Sequence, residues 1–462
     1  MPQITLNTAK LPGRSMGVKL IVVCFLALVM TIPALFVWAL IEDRSQRAQD
    51  VVTVVSNLVG GPQTFLGPVL GVPYQVPEPD GKPPRLGTYI VFPVRGEAGA
   101  VTHVEVRHRS LFKVPAYRSD ITFRATFDVP ANPGNLPDGA ELDWSRAQFI
   151  VATSDPRGAH SDITLTAGGR STSLGPALVL PTISVTLPQG GETQLTFFGT
   201  PAAAIAKPGA QFDLTAELEF SGAQRLTFLA FGQTTSIGMR GDWPHPSFNG
   251  GVLPATQSIT PGGFEASWSV PFIARGVPAE GGADILNRLG RAAMSMSFVD
   301  LADPYQSVTR SVKYALLFIG LVFLSYFLFE VASGRRVHPA QYILIGIAQL
   351  IFYLLLLSIA ERIGFDWAFL IAAVATVGLI SAYAGWVFAS RRYGLRALVA
   401  FSVLYALIYF LLGLEDQALL IGAIASFAAI AAVMYFTRHM DWYGTTALPP
   451  VPANERGPAG IV

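Results

Sequence analysis

The chain has 462 residues, 51% of them hydrophobic and only 14% charged, with a mean hydropathy of +0.45. Soluble domains carry about 25% charged residues, so the shortfall predicts membrane spans beside a water-soluble part and argues against a wholly soluble enzyme. A net charge of +1 excludes bulk attraction to nucleic acid, and the single cysteine, Cys24, excludes an intrachain disulfide framework or a cysteine-based metal site.

Residues 1–19 precede the first apolar run and carry Lys10, Arg14 and Lys19. The run itself, 20–41, holds 22 residues without a charge, and about 20 helical residues cross a bilayer core. It is longer than a signal-peptide core, and bulky Trp38, Leu40 and Ile41 stand where a cleavage site needs small residues. It therefore reads as an uncleaved anchor, with Pro33 as the place for a kink.

Residues 42–310 contain no comparable run and are long enough for a substantial core. Period-two alternation recurs in them. Phe212, Leu214, Ala216, Leu218 and Phe220 alternate with Gln211, Asp213, Thr215, Glu217 and Glu219. The stretches 122–129 and 264–270 repeat the pattern. Such alternation predicts half-buried antiparallel strands. Pro133-Gly134-Asn135, Ser221-Gly222, Gly250-Gly251 and Pro261-Gly262-Gly263 punctuate them as turns. The expected fold is an all-β extracytoplasmic domain, a sandwich or a pair of smaller β lobes, with one helix over 283–295.

Five further apolar runs follow at 314–331, 341–360, 367–389, 397–414 and 418–437. The expected architecture is a membrane protein with six transmembrane helices: one N-terminal, and five in a C-terminal α-helical bundle over 311–437. Residues 438–462, rich in proline, read as a disordered cytoplasmic tail. Alternate short segments hold Lys10, Arg14, Lys19, Arg335, Arg336, Arg391, Arg392, Arg396, Arg438 and Arg456, whereas the opposite short loops hold only Arg362 beside Glu361, Asp366, Glu415 and Asp416. The positive-inside rule then places both termini in the cytoplasm and the β domain in the periplasm. Glu330 lies near the cytoplasmic end of its run and is expected to pair with Arg335 and Arg336 or to snorkel. Gly378 with Ala382, and Gly422 with Ser426, have the four-residue spacing of close helix contacts.

Chemistry is sparse. His103, His108, His160 and His245 lack any paired-ligand spacing, so neither metal nor cofactor is expected. There is no G-x-S-x-G elbow, S-x-x-K motif or phosphate loop, so no catalytic residue is assigned. Ser154-Asp155-Pro156-Arg157-Gly158 reads as a turn held by Asp155. The candidate interaction loop is Trp243-Pro244-His245-Pro246-Ser247-Phe248, where prolines stiffen a segment bearing Trp243, His245 and Phe248. Its alternative is an aromatic strand connection packed on the sandwich edge.

Several segments together resemble the CreD family of inner-membrane proteins: Gly61-Pro62-Gln63 with Gly67-Pro68, the turn 154–158 and the loop 243–248. Further on come Lys313-Tyr314, Phe329-Glu330, His338-Pro339-Ala340-Gln341-Tyr342, the run 352–358, Glu415-Asp416-Gln417 and Thr437-Arg438-His439-Met440-Asp441-Trp442-Tyr443. The resemblance implies a role in cell-envelope integrity, colicin tolerance and the response to β-lactam stress, and it implies no reaction, substrate or cofactor. The leading expectation is a non-enzymatic envelope protein whose periplasmic domain binds or senses an envelope component or protein partner. A transporter or flippase would need a polar cavity among the helices, and a hydrolase of envelope polymers would need His245 beside a nucleophile or acid.

Overall fold

A computed structural model describes residues 16–413, apart from 80–82, 110–111, 178–179, 181–182, 189–190 and 299–303, together with isolated positions between 420 and 438. The chain divides into two compact units, Met1–Gln46 with Ala302–Val462 and Arg47–Leu301.

The first unit is helical. Helices α1 (Met16–Val29) and α2 (Thr31–Leu58, of which residues 31–46 belong to this unit) come from the N-terminal run, α4 (Pro304–Lys313) precedes the C-terminal bundle, and α5 (Ala315–Ser333), α6 (Pro339–Ile363), α7 (Phe365–Val387) and α8 (Arg391–Gly413) form it; α3 (Phe272–Arg275) is a single turn elsewhere in the chain. Five candidate spans are present among the described residues, one N-terminal and four C-terminal. Their length and apolar composition imply a lipid bilayer around them. The sixth expected span, 418–437, lies mostly outside the described residues, as does the tail after 438. The break at Met30 has a local cause, because Pro33 has no N–H to give the carbonyl of Val29 and its ring crowds that carbonyl. Helix α2 continues beyond the expected anchor to Leu58.

The bundle corrects two expectations. Glu330 is buried and pairs with Lys19 of α1 rather than with Arg335 or Arg336. The loop after α5 turns back so that Val337 N donates to Glu330 Oε1 at 2.9 Å, while Tyr342 Oη donates to Oε2 at 2.9 Å. Lys19 Nζ also donates to the Val337 carbonyl at 2.9 Å. A carboxylate in apolar surroundings is tolerated only when its lone pairs are met in this way. Gly378 meets open space, and Gly422 and Ser426 lie outside the described residues. Close helix approach occurs instead where Gly394 of α8 meets Gly385 of α7, and where Gly346 of α6 admits Met30 and Phe323.

The second unit carries the strands. In chain order they are β1 (Gln63–Val76), β2 (Arg85–Val91), β3 (Arg95–Arg109), β4 (Phe112–Asp128), β5 (Glu141–Leu142) and β6 (Gln148–Thr153). Then come β7 (Thr164–Ala167), β8 (Arg170–Ser173), β9 (Gly175–Pro176), β10 (Ile183–Thr186), β11 (Glu192–Pro201) and β12 (Gln211–Ala223). The rest are β13 (Arg225–Phe228), β14 (Thr234–Gly241), β15 (Pro246–Gly250), β16 (Thr256–Thr260), β17 (Gly263–Val270), β18 (Glu280–Gly282) and β19 (Met294–Phe298). One sheet has the central order β10-β11-β6-β1-β13-β19-β15, with β2, β5, β9 and β18 attached to it; the other runs β16-β17-β14-β3-β4-β12-β7-β8.

The core lies between the sheets. Phe65 of β1 meets Phe220 of β12 edge-on at 5.2 Å, and Phe127 of β4 lies 6.1 Å from Phe149 of β6. The alternation in β12 and β17 places Leu214, Leu218, Phe264 and Trp268 in this core, as the sequence pattern predicts. Strand β1 is buried residue after residue from Gln63 to Val72, because both its faces are covered. Its pairing with β6 shifts between Leu66 and Val69, where Gly67-Pro68 forms a bulge. Over 283–295 the structure departs from the expected helix: Ala283–Ala292 is a 3-10 helix burying Leu286 and Leu289, and Met294 opens β19.

Candidate binding face of the β unit

Only the first half of the predicted loop 243–248 is a connection: residues 242–245 join β14 to β15, and Pro246, Ser247 and Phe248 belong to β15, paired with β19. Asp242 Oδ1 accepts from Val104 N at 2.8 Å, and its Oδ2 lies 3.3 Å from His103 Nδ1. Trp243 is half-buried, its ring edge-on to Phe298 at 6.4 Å, and its Nε1 donates to the His245 carbonyl at 3.0 Å. Phe248, also half-buried, lies edge-on to Trp268 at 5.7 Å and Phe264 at 6.1 Å. Pro246 stands opposite Phe298 on the last strand of its sheet, where a missing N–H is tolerated. Pro244 is half-buried and His245 exposed. Among the described residues the His245 imidazole makes no hydrogen bond to a nucleophile or carboxylate. Both aromatics thus carry packing contacts, and His245 is the member of the segment most open to solvent.

Gly241 and Asp242 also line the end of a groove of about 470 Å³ that reaches Thr260 and Glu265. A second hollow of about 600 Å³ shares Val101, Arg240 and Glu265 with it and extends along the outward face of β4, β3, β14, β17 and β16. Its floor is unusual for a sheet. Gly99 of β3 and Gly238 of β14 are partners in register, and a Cβ built on either would meet nothing within 4 Å. Strand glycines weaken a sheet and often mark sites where a ligand or another backbone comes close. Charges of both signs border the floor, with Glu97 opposite Arg124 and Arg240 opposite Glu265 in register. The groove therefore suits an extended polar molecule with charges of both signs. Sequence reasoning missed it, because a glycine pair 139 positions apart becomes a floor only once β14 lies parallel beside β3.

Two other sequence segments come together in a structural role. The Gln63 side chain is buried: its Nε2 donates to the carbonyls of Gly60 (2.7 Å) and Asp155 (2.9 Å), and its Oε1 accepts from Thr153 Oγ1 at 2.7 Å. Ser154 Oγ accepts from Thr64 N at 2.9 Å. Asp155 caps the short 3-10 turn Pro156–Gly158 and holds the Arg157 guanidinium at 2.6 Å. Burial pushes the Asp155 carboxyl up, but hydrogen bonds and charge from Arg157 outweigh it and leave the pKa below the usual carboxylate value. A Cβ on Gly158 would lie 2.3 Å from the Ser221 carbonyl, so close packing requires glycine there. Tyr117 Oη donates to the Arg225 carbonyl at 2.9 Å beside this knot, and burial raises its phenol pKa.

In the helical unit a groove of about 590 Å³ lies between α7 and α8 and is lined by Leu370, Val374, Val377 and Leu398, with Asp366 and Tyr409 among its polar members. It is an apolar furrow, and it does not supply the polar cavity that a conduit needs. Among the described residues no group of three His, Cys, Asp or Glu is placed to hold a metal ion.

Residues 15–443 match the family model described as "Inner membrane protein CreD". The chain is also similar to the inner membrane protein CreD of Escherichia coli (strain K12), at 28% identity over 438 residues, covering 93% of this chain and 94% of the relative.

Proposed function

The chain belongs to the CreD family of inner membrane proteins, and from that premise we propose that it is a non-enzymatic protein of envelope integrity and envelope stress, whose β unit stands in the periplasm and binds an envelope component along the outward face of β3 and β14. The observation that carries the reading is the open floor at Gly99 and Gly238 between charged borders. The loop 243–248 adjoins one end of the groove through Asp242, so Pro244 and His245 act as a rim rather than as the principal contact.

The test adds side chains to the floor. Gly238→Gln and Gly99→Gln place a polar side chain where the groove is empty, at strand positions with ordinary φ, so the fold is retained. Each variant is expected to reach the membrane at wild-type level and to fail to restore envelope resistance in a strain lacking the protein. Full restoration by both would remove the groove from the function.

A further inference from the structure

The β unit contains a buried cation that has no counter-ion among the described residues. Arg275, at the end of the one-turn helix α3, is 1% exposed. Its Nη2 donates to the carbonyls of Val277 at 2.9 Å and Pro278 at 2.5 Å. Its Nε and Nη1 have no hydrogen-bond partner among the described residues. The rings of Phe92 and Phe272 lie 4.2 and 5.5 Å from the guanidinium carbon. The nearest carboxylate in sequence, Glu280, is turned away to accept from Gly134 N at 2.9 Å. Burial lowers the Arg275 pKa to about 10, still far above neutrality, so the group is charged.

A buried charge is normally paired, because desolvation costs more than neutral contacts return. Carbonyls satisfy one nitrogen here and aromatic rings attend the group, but the three N–H bonds on Nε and Nη1 remain. Nε and Nη1 lie on different edges of the guanidinium, because Nη2 between the two forks is already engaged, so each free nitrogen offers a single charge-assisted hydrogen bond to a carboxylate oxygen. What lies over the site is slight: Phe272, whose ring attends the guanidinium, is itself 45% exposed and sits on a single turn. That turn ends at Gly276 in the left-handed conformation, with nothing within 4 Å of its Cβ direction.

We propose that Arg275 is the anchor of a carboxylate-binding site, closed by Phe272 and opened by movement of the turn 272–276, with Phe272 and Ile273 contacting the apolar part of the molecule that carries the carboxylate. The site is separate from the groove, and its failure leaves the groove reading intact.

The experiment uses the full chain in detergent, with acetate as probe and chloride at matched ionic strength as reference. A ligand that binds the folded state raises Tm progressively with its concentration. The Tm of the β unit is expected to rise with acetate relative to chloride. Arg275→Met is expected to abolish that difference; in chloride it removes an unpaired buried charge but strands the carbonyls of Val277 and Pro278, so the acetate-against-chloride difference is what is read, not the absolute Tm. No acetate effect on the wild type, or an undiminished one in Arg275→Met, overturns the proposal. Should Arg275→Met fail to fold, Phe272→Ala decides, because it keeps the guanidinium and removes its cover. A larger acetate shift supports the site, and an unchanged or smaller one overturns it. A stronger response to inorganic phosphate than to acetate would overturn the carboxylate assignment.

Discussion

At the scale of single residues, the positions that look most distinctive along the chain divide into packing and exposure. Trp243 and Phe248 are half-buried against core rings, so replacing either by Ala is expected to destabilise the protein by about 2 kcal/mol, somewhat below the 3–5 kcal/mol of a fully buried aromatic. His245→Ala is expected to leave stability unchanged, because that side chain is exposed. Thermal unfolding of the three variants checks both statements. Gln63 carries a larger consequence. Gln63→Leu strands the carbonyls of Gly60 and Asp155 and the Thr153 hydroxyl, at about 1–3 kcal/mol for each buried group left unsatisfied, so a loss of roughly 3 kcal/mol is expected. Equal stability of Gln63→Leu and wild type would refute the knot. Asp155 adds a pH dependence. Its folded pKa lies below the ordinary 3.8, so its contribution is fully present above that value and disappears as pH falls through the lower, folded one. Wild type is therefore expected to exceed Asp155→Asn in stability at neutral pH and to lose that advantage in strong acid.

Elements are held to one another by a few polar contacts in an apolar setting. Lys19 on α1 and Glu330 on α5 are 311 positions apart, yet their side chains meet beside Val337 and Tyr342. Removing one partner of a buried pair costs about 3–5 kcal/mol because the other charge is left unpaired. Lys19→Met is expected to loosen α1 from α5 and reduce thermal stability in detergent by about that amount. The double change Lys19→Met with Glu330→Gln is expected to recover most of the loss, since no charge then remains unpaired. A double variant as unstable as the single one would show that Lys19 acts through its packing. Glu330 drew attention as an ionisable residue in a span, but its partner could not be read locally. Arg335 and Arg336 are nearer in sequence, but the turn after α5 brings Val337 rather than those arginines onto the carboxylate.

For the whole molecule, the charge asymmetry of the short segments supports the proposal that both termini lie in the cytoplasm and residues 42–310 in the periplasm. A reporter fused after Val462 is expected to give a cytoplasmic signal, and one inserted at Gly168 a periplasmic signal. Gly168 suits the insertion because it sits in the turn between β7 and β8 with only Ile205 near its Cβ direction. A periplasmic signal from the C-terminal fusion would reverse the assignment. Under the proposed topology, the ligands offered to the groove are those of the envelope.

Much of this architecture follows from the chain alone. Apolar runs about 20 residues long identify spans because a bilayer core has a set thickness. Strict alternation identifies strands because side chains in a sheet point to opposite faces. Those are local properties, and they sufficed for the described spans, for the two-sided pattern of β12 and β17, and for the turn at Asp155. Strand β1 carried a weaker signal, since burial on both faces erases alternation. What only the tertiary structure decided are the long-range juxtapositions: Lys19 with Glu330, Gln63 with the turn 154–158, Gly99 beside Gly238, and Arg275 between Phe92 and Phe272. Each depends on which strands become neighbours and how the chain returns. That choice is made by the packing of the whole core, and no residue in the pair records it locally.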